Sequence, residues 1–127
     1  MTNEELLQLM KRFRVAYGTV NREELLATTT SDFIWHQNAA TSDEELPTGK
    51  VLTGVDELLK EIERRGQQWT NVRYENMQER ATDDVLVQTF QISGEDNGVA
   101  FQANVVDLYP VRDGLISKKD TYWKYRV

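Results

Sequence analysis

Apolar residues recur along the chain at two spacings, and the change from one to the other divides it. Near the start, Leu6, Leu9, Met10, Phe13, Tyr17 and Val20 share one helix face. Thr2 and Glu5, three apart, form the pattern of a reciprocal N-terminal cap, so a helix is predicted up to about Gly18. Asn21 and Glu24 repeat the signature ahead of a short second helix through Leu25 and Leu26. The threonines at 28–30 disfavour its extension, because β-branched side chains lose rotamer freedom in a helix. Residues 33–37 then read as a strand. Residues 38–54 form a long connection rich in turn formers, with a short strand at Lys50–Leu52. Long connections inside compact domains often carry function. Thr53, with Asp56 three residues on, is placed to cap a third helix. Its buried stripe is Val55, Leu58, Leu59 and Ile62, and its expected stop is Gly66.

After Trp69 the period becomes two. Segments 71–80, 84–93, 99–111 and 115–127 alternate apolar with polar residues, and "EDNG" and "RDG" supply turns. Helices followed by an antiparallel meander imply one α+β domain over residues 1–127, with helices packed on one sheet face. A strongly curved sheet wrapped around those helices makes a cone with a cavity in its mouth.

Composition narrows the classes. The 127 residues suffice for a real core, and 39% apolar with 28% charged residues is an ordinary soluble balance. Without cysteine there is no disulfide, thiolate nucleophile or zinc–thiolate site, which fits a reducing cytoplasm. A net charge of −6 with no basic block argues against nucleic acid, and "KRFR" at 11–14 is expected on the wet face of a helix. No apolar run approaches the roughly 20 residues of a membrane span. The first residues also lack the apolar core of a signal peptide. The expectation is a cytoplasmic protein with no membrane partner. His36 is the single histidine and the carboxylates suggest no cage, so neither a metal nor another cofactor is expected.

Three stretches then bring a family into view: "SDFIWHQNAA" (31–40), "PTGKVLTGVDELL" (47–59) and "VVDLYPVRDGLISKKDTYW" (105–123). In this order the chain resembles the SnoaL-like polyketide cyclases of the nuclear transport factor two-like superfamily, relatives of the ketosteroid isomerases. The resemblance spans nearly the whole chain and implies the cone-shaped fold. Members include isomerases, cyclases, epoxide hydrolases, dehydratases, binding proteins and association domains, so function rests on the site.

By that resemblance Asp107 matches the isomerases' oxyanion-hole aspartate, an acid kept protonated by apolar surroundings so that it can donate a hydrogen bond. The alternative reading is an ionised aspartate at a strand end, paired with an arginine or facing water. The other isomerase roles do not carry over. Phe13 stands where the family has its oxyanion tyrosine, with Tyr17 one helical turn later. Gln37 stands at the general-base position, and an amide takes up no proton at neutral pH, so a standard ketosteroid isomerase is not expected. His36 is either a base or donor at the cavity mouth or a ring packed beside Trp35, since strand neighbours point to opposite faces. Thr121 precedes the pair Tyr122–Trp123 where cyclases often carry an aspartate. Asp120 sits one residue early, so either the strand shifts or that acid is missing. Arg112 and Asp113 read as turn residues rather than as parts of a hydrolase site.

The implied concave faces carry Phe33, Trp35 and Gln37; Leu86, Gln88, Phe90 and Ile92; Phe101, Ala103, Val105 and Asp107; and Lys119, Thr121 and Trp123. They describe an aromatic cavity with a few polar groups, suited to a flat lipophilic molecule, or else a core filled by aromatics. The candidate catalytic residues are Asp107, His36 and Tyr17. The candidate ligand contacts are Phe13, Trp35, Gln37, Gln88, Phe90, Thr121 and Trp123. Gln102, Asn104, Val106 and Leu108, with Val85, Val87, Thr89 and Gln91, form a mixed outer face, and the family commonly dimerises there, so a homodimer is expected. Three functions stay open: acid–base catalysis of isomerase, cyclase, lyase or hydrolase type, non-catalytic binding of a small molecule, and association through the sheet.

Overall fold

The computed structural model describes residues 1–38 and 49–126. Helix α1 (Asn3–Gly18) opens with the expected reciprocal cap: Glu5 N–H donates to Thr2 Oγ1 and Thr2 N–H to Glu5 Oε1, at 3.1 and 3.0 Å. In α2 (Arg22–Thr28), Asn21 Oδ1 accepts from Glu24 N–H. The threonines then do more than end that helix. Thr28 and Thr29 donate their hydroxyls back to helix carbonyls, and the chain leaves directly as β1 (Thr29–Asn38), earlier than the apolar pattern places it. The expected long connection falls on residues 39–48, which lie outside the described residues.

After β2 (Lys50–Thr53) comes α3 (Gly54–Gln68), and two expectations about it need correction. Thr53 makes no side-chain cap; instead Glu57 reaches back to accept from Thr53 N–H at 2.9 Å. Gly66 does not stop the helix. It lacks the positive φ of a left-handed cap, and without that conformation a glycine is only a weak helix former. The remaining strands are β3 (Trp69–Thr82), β4 (Val85–Asp96), β5 (Val99–Arg112) and β6 (Leu115–Tyr125).

The sheet order is β2-β1-β6-β5-β4-β3, and β1 runs parallel to β6 while the other neighbours are antiparallel. Its curvature has local causes. β3 carries register shifts between Thr70 and Arg73 and between Glu75 and Gln78, with Asn71 and Asn76 at φ 54° and 55°. Asparagine enters the left-handed region at low cost, and each bulge bends and twists its strand. β5 and β6 shift between Leu108 and Val111. The curled sheet holds the helices in its concave side.

Alternation sorts the faces as the sequence predicts: Ala103, Val105 and Asp107 are buried, while Gln102, Asn104 and Val106 are exposed. The main core packs Phe13, Phe33, Trp35, Leu58, Tyr109 and Ile116 between helices and sheet. A second cluster lies further along the same face, around Ile92, Ala103 and Val105 with Trp69, Phe90, Phe101 and Trp123. The "KRFR" cluster is split by helix geometry. Lys11 and Arg12 face water, Phe13 is buried, and Arg14 turns toward Glu79 on β3. Among the described residues no helix is long and apolar enough to cross a membrane.

Candidate functional site

A cavity of about 380 Å³ opens between α1, the end of α3 and the concave sheet. Its walls are mainly apolar and include Phe13, Tyr17, Trp35, Tyr74, Phe90 and Trp123. Tyr74 and Met77 both reach it although they are three positions apart, because the bulge at Asn76 resets the alternation.

The polar floor is one cross-strand row. Register aligns Glu79 with Gln88, Gln88 with Asp107, Asp107 with Thr121, and Thr121 with Gln37, so the row crosses β3, β4, β5, β6 and β1. Asp107, 1% exposed, accepts at both oxygens: from Thr121 Oγ1 at Oδ1, in a short contact, and from Lys119 Nζ at Oδ2, 2.9 Å away. Thr121 Oγ1 in turn accepts from Trp35 Nε1 at 2.9 Å. Lys119 also donates to Tyr109 Oη at 2.8 Å, and Tyr109 donates to Gln88 Oε1 at 3.2 Å. Gln88 Nε2 donates to Glu79 Oε2 at 2.7 Å, where Arg14 Nε donates too. Along the branch through Tyr109 and Gln88, each donor therefore points away from Lys119 toward the Glu79 carboxylate, which supports the positive charge at that branch's origin.

Burial lowers the Lys119 pKa, and the adjacent Asp107 charge and hydrogen bond oppose that loss. The ammonium also lies 5.1 and 5.2 Å from the ring centroids of Tyr17 and Trp35, aromatic neighbours that favour a cation. Burial and the Asp107 charge push the Tyr109 phenol well above its usual range. The Tyr17 phenol is raised by burial, with Arg65 opposing.

A second cation joins the wall from α3. The Arg65 guanidinium stands 4.5 Å from the ring centroid of Trp69, 4.8 Å from Trp35 and 5.7 Å from Trp123. Its Nε donates to Glu61 at 3.2 Å. Glu61 is only 3% exposed. Burial pushes its carboxyl up, but hydrogen bonds from Arg64 and Gln37 and the arginine charges outweigh that and hold it at about 2.

The sequence-derived candidates separate on this geometry. Asp107, Tyr17, Phe13, Trp35, Gln88, Phe90, Thr121 and Trp123 all line the cavity. Gln37 shares the inward face but donates to Glu61 Oε2 at 2.9 Å and does not reach the cavity, so a ligand contact there is not supported. His36 is on the opposite face, with Nδ1 3.9 Å from Asp120 Oδ1, because neighbours in β1 alternate without a bulge between Trp35 and His36. A histidine base at the mouth is thereby corrected. Asp120 accepts from Asn38 Nδ2 on that same outer side, so no cyclase-type acid enters from β6. Nor is Asp107 the protonated donor of the isomerase pattern, since both its oxygens accept, one of them from an ammonium. Arg112 pairs with Asp32 at the surface, and Asp113 takes the left-handed turn position.

Lys119, Tyr109, Arg65 and Arg14 line the cavity without appearing among the expected site residues. Lys119 left a signal, two residues before Thr121 on the same strand face. Arg65 left none, since one more charged residue on a helix looks like solvated surface. Among the described residues no histidine, aspartate and glutamate cluster could hold a metal ion.

The sequence profile of the SnoaL-like domain matches residues 10–119. No curated protein matches the sequence. Among solved structures, an NTF2-like protein from Burkholderia xenovorans superposes with a TM-score of 0.81 at 20% identity, covering 98% of this chain and 92% of its own. A proposed polyketide cyclase from Streptomyces antibioticus gives 0.69 at 18%, covering 92% and 90%. An LEH-like epoxide hydrolase from M. tuberculosis gives 0.65 at 13%, covering 96% and 84%. At such identities the likeness carries the fold alone, and it fits the curved sheet around helices described above.

Proposed function

The chain belongs to the SnoaL-like domain family, and from that premise we propose that its cavity takes up a small, largely apolar carbonyl or hydroxylated molecule and carries out cofactor-free acid–base chemistry on it. One observation carries the reading: the Asp107–Lys119 pair, held at 2.9 Å on the floor of an apolar cavity. An ammonium has three donors. Two are committed to Asp107 and Tyr109, and the third is available to a ligand oxygen. In surroundings this poor in water, charge developing on that oxygen gains more from a fixed ammonium than it would in solution. Asp107 is the carboxylate beside it, and as general base it takes a proton from the carbon next to a ligand carbonyl and returns it. This reverses the isomerase pattern, in which the matching aspartate is the acid. Tyr17 and Phe13 close the wall from α1 and orient the ligand.

Incubating the protein in D2O with a panel of aromatic ketones and polyketide-like diketones tests this. Mass spectrometry should find deuterium at the carbon next to the carbonyl. Asp107→Asn should abolish exchange while keeping much of the affinity. A wild-type protein that binds a panel member yet exchanges no proton would leave the cavity as a binding site alone.

The outer sheet face supports a second reading, a homodimer. Val106 and Tyr122 are cross-strand partners there, 37% and 45% exposed, which is unusual for apolar residues at a sheet centre. Sedimentation velocity should find a dimer that Val106→Glu converts to monomer.

A further inference from the structure

Among the described residues, the charges around Arg65 do not balance. Glu61 is the carboxylate it bonds, and Glu61 answers three cations: Arg64 Nε at 2.7 Å, Arg65 Nε at 3.2 Å and Lys50 Nζ at 3.8 Å. Arg64 takes both Glu61 oxygens, through Nε and Nη2, so Arg65 holds a shared edge of the carboxylate. Only Nε of Arg65 is spent on it. Among the described residues, the cavity wall bears Arg14, Arg65 and Lys119 against a single carboxylate, Asp107. Glu61 and Glu79 stand behind their arginines and do not line it.

Arg65 is also held in place before any ligand arrives. Three indoles stack around its guanidinium, and its side chain is only 15% exposed. A planar fork fixed this way loses little freedom when it takes an acceptor. Both Arg65 and Lys119 lie about 5 Å from the Trp35 ring centroid, so they flank one indole and stand no more than about 10 Å apart.

We propose that Arg65 is an oxyanion clasp, and that the ligand is a lipophilic carbonyl compound that also carries a carboxylate. The carboxylate docks on the Arg65 fork, the apolar body lies along Trp35 and Trp123, and the carbonyl oxygen meets Lys119. The assignment rests on the cavity's being the ligand site, as proposed above, and adds the charge and layout of the ligand.

Calorimetric titration with 2-naphthylacetate and its neutral amide, 2-naphthylacetamide, separates the two claims. The acid should bind about tenfold or more tightly, the usual weight of a charge-assisted hydrogen bond in a sheltered site. Arg65→Gln should abolish the preference, so that acid and amide bind the variant with equal affinity. In the wild-type protein, the Arg65 side-chain ¹⁵N–¹H NMR signals should move with the acid and not with the amide, a readout that needs no stable variant. Equal affinity for the two probes would overturn the clasp while leaving the cavity a ligand site. A preference for the acid that persists in Arg65→Gln would assign the anion to Lys119 or Arg14 and overturn it as well. Binding of neither probe would remove the ligand-site reading and the clasp together.

Discussion

Two tryptophans on the same curved surface meet different fates. Trp35 is 1% exposed, lies under α1 and donates its Nε1 to Thr121. Trp69 stacks on Phe101 and Trp123 at 5.1 and 5.9 Å, and its buried Nε1 has no hydrogen-bond partner among the described residues. The first belongs to the cluster that the helices cover. The second belongs to the cluster further along the strands, where aromatic rings cover one another. The polar row through Gln88, Asp107 and Thr121 runs between them, with Leu86 and Tyr109 on one side and Phe90, Val105 and Trp123 on the other. A helix-covered face is spent on stability. The other face is covered by its own rings and by the Arg65 side chain, and the Asp107–Lys119 pair sits where the two meet.

The sharpest way to break this comparison is to remove the main ring of the covered half. Phe13→Ala should cost about 3–5 kcal/mol in denaturant unfolding, because Phe13 packs against Phe33 and Tyr109 with almost no exposure. Next comes the border. Lys119→Met leaves the Asp107 carboxylate buried without its ion-pair partner and should cost about 3 kcal/mol. The double variant Lys119→Met/Asp107→Leu should recover most of that loss, because no charge is then stranded. A double variant as unstable as the single one would mean the pair is bound into packing rather than charge.

Acid probes the same border. Glu61 titrates near 2 in the fold against a usual 4.5, so the stability it adds is complete above about pH 4.5 and disappears as pH falls toward about 2. Glu61→Gln should therefore lose about 3 kcal/mol at pH 7 and converge on the wild type in acid, as thermal melts across that window would record. An undiminished gap at low pH would assign the loss to geometry instead. The smallest effect belongs to the open half. Phe101→Ala should cost about 1 kcal/mol, since its ring is only partly buried. A cost equal to that of Phe13→Ala would make the two clusters one core.

Much of this was legible in the sequence because it is local. Helix caps at Thr2 and Asn21, the stripe of α1 and the period of two in β4, β5 and β6 depend on neighbours a few residues away. Facing follows from period alone, so Gln88, Asp107, Thr121 and Trp123 could be assigned to the inside before any fold was seen. The bulges in β3 escaped, since an asparagine in the left-handed region looks like any other polar strand residue until pairing fixes the register. His36 illustrates the same limit: alternation put it opposite Trp35, and only pairing with β6 set it beside Asp120.

By itself, then, the sequence determined the elements, their inward faces and an acid at Asp107 on the inner side. Tertiary structure decided what that acid does. Lys119 and Asp107 are twelve residues apart and meet only because β5 and β6 pair with a one-residue shift above them. Arg65 reaches the cavity only because α3 docks on β1 and lays its guanidinium among three indoles. Local propensity fixes which way a side chain points, whereas its partner is chosen by strand register and helix docking, and those are set by the packing of the whole sheet.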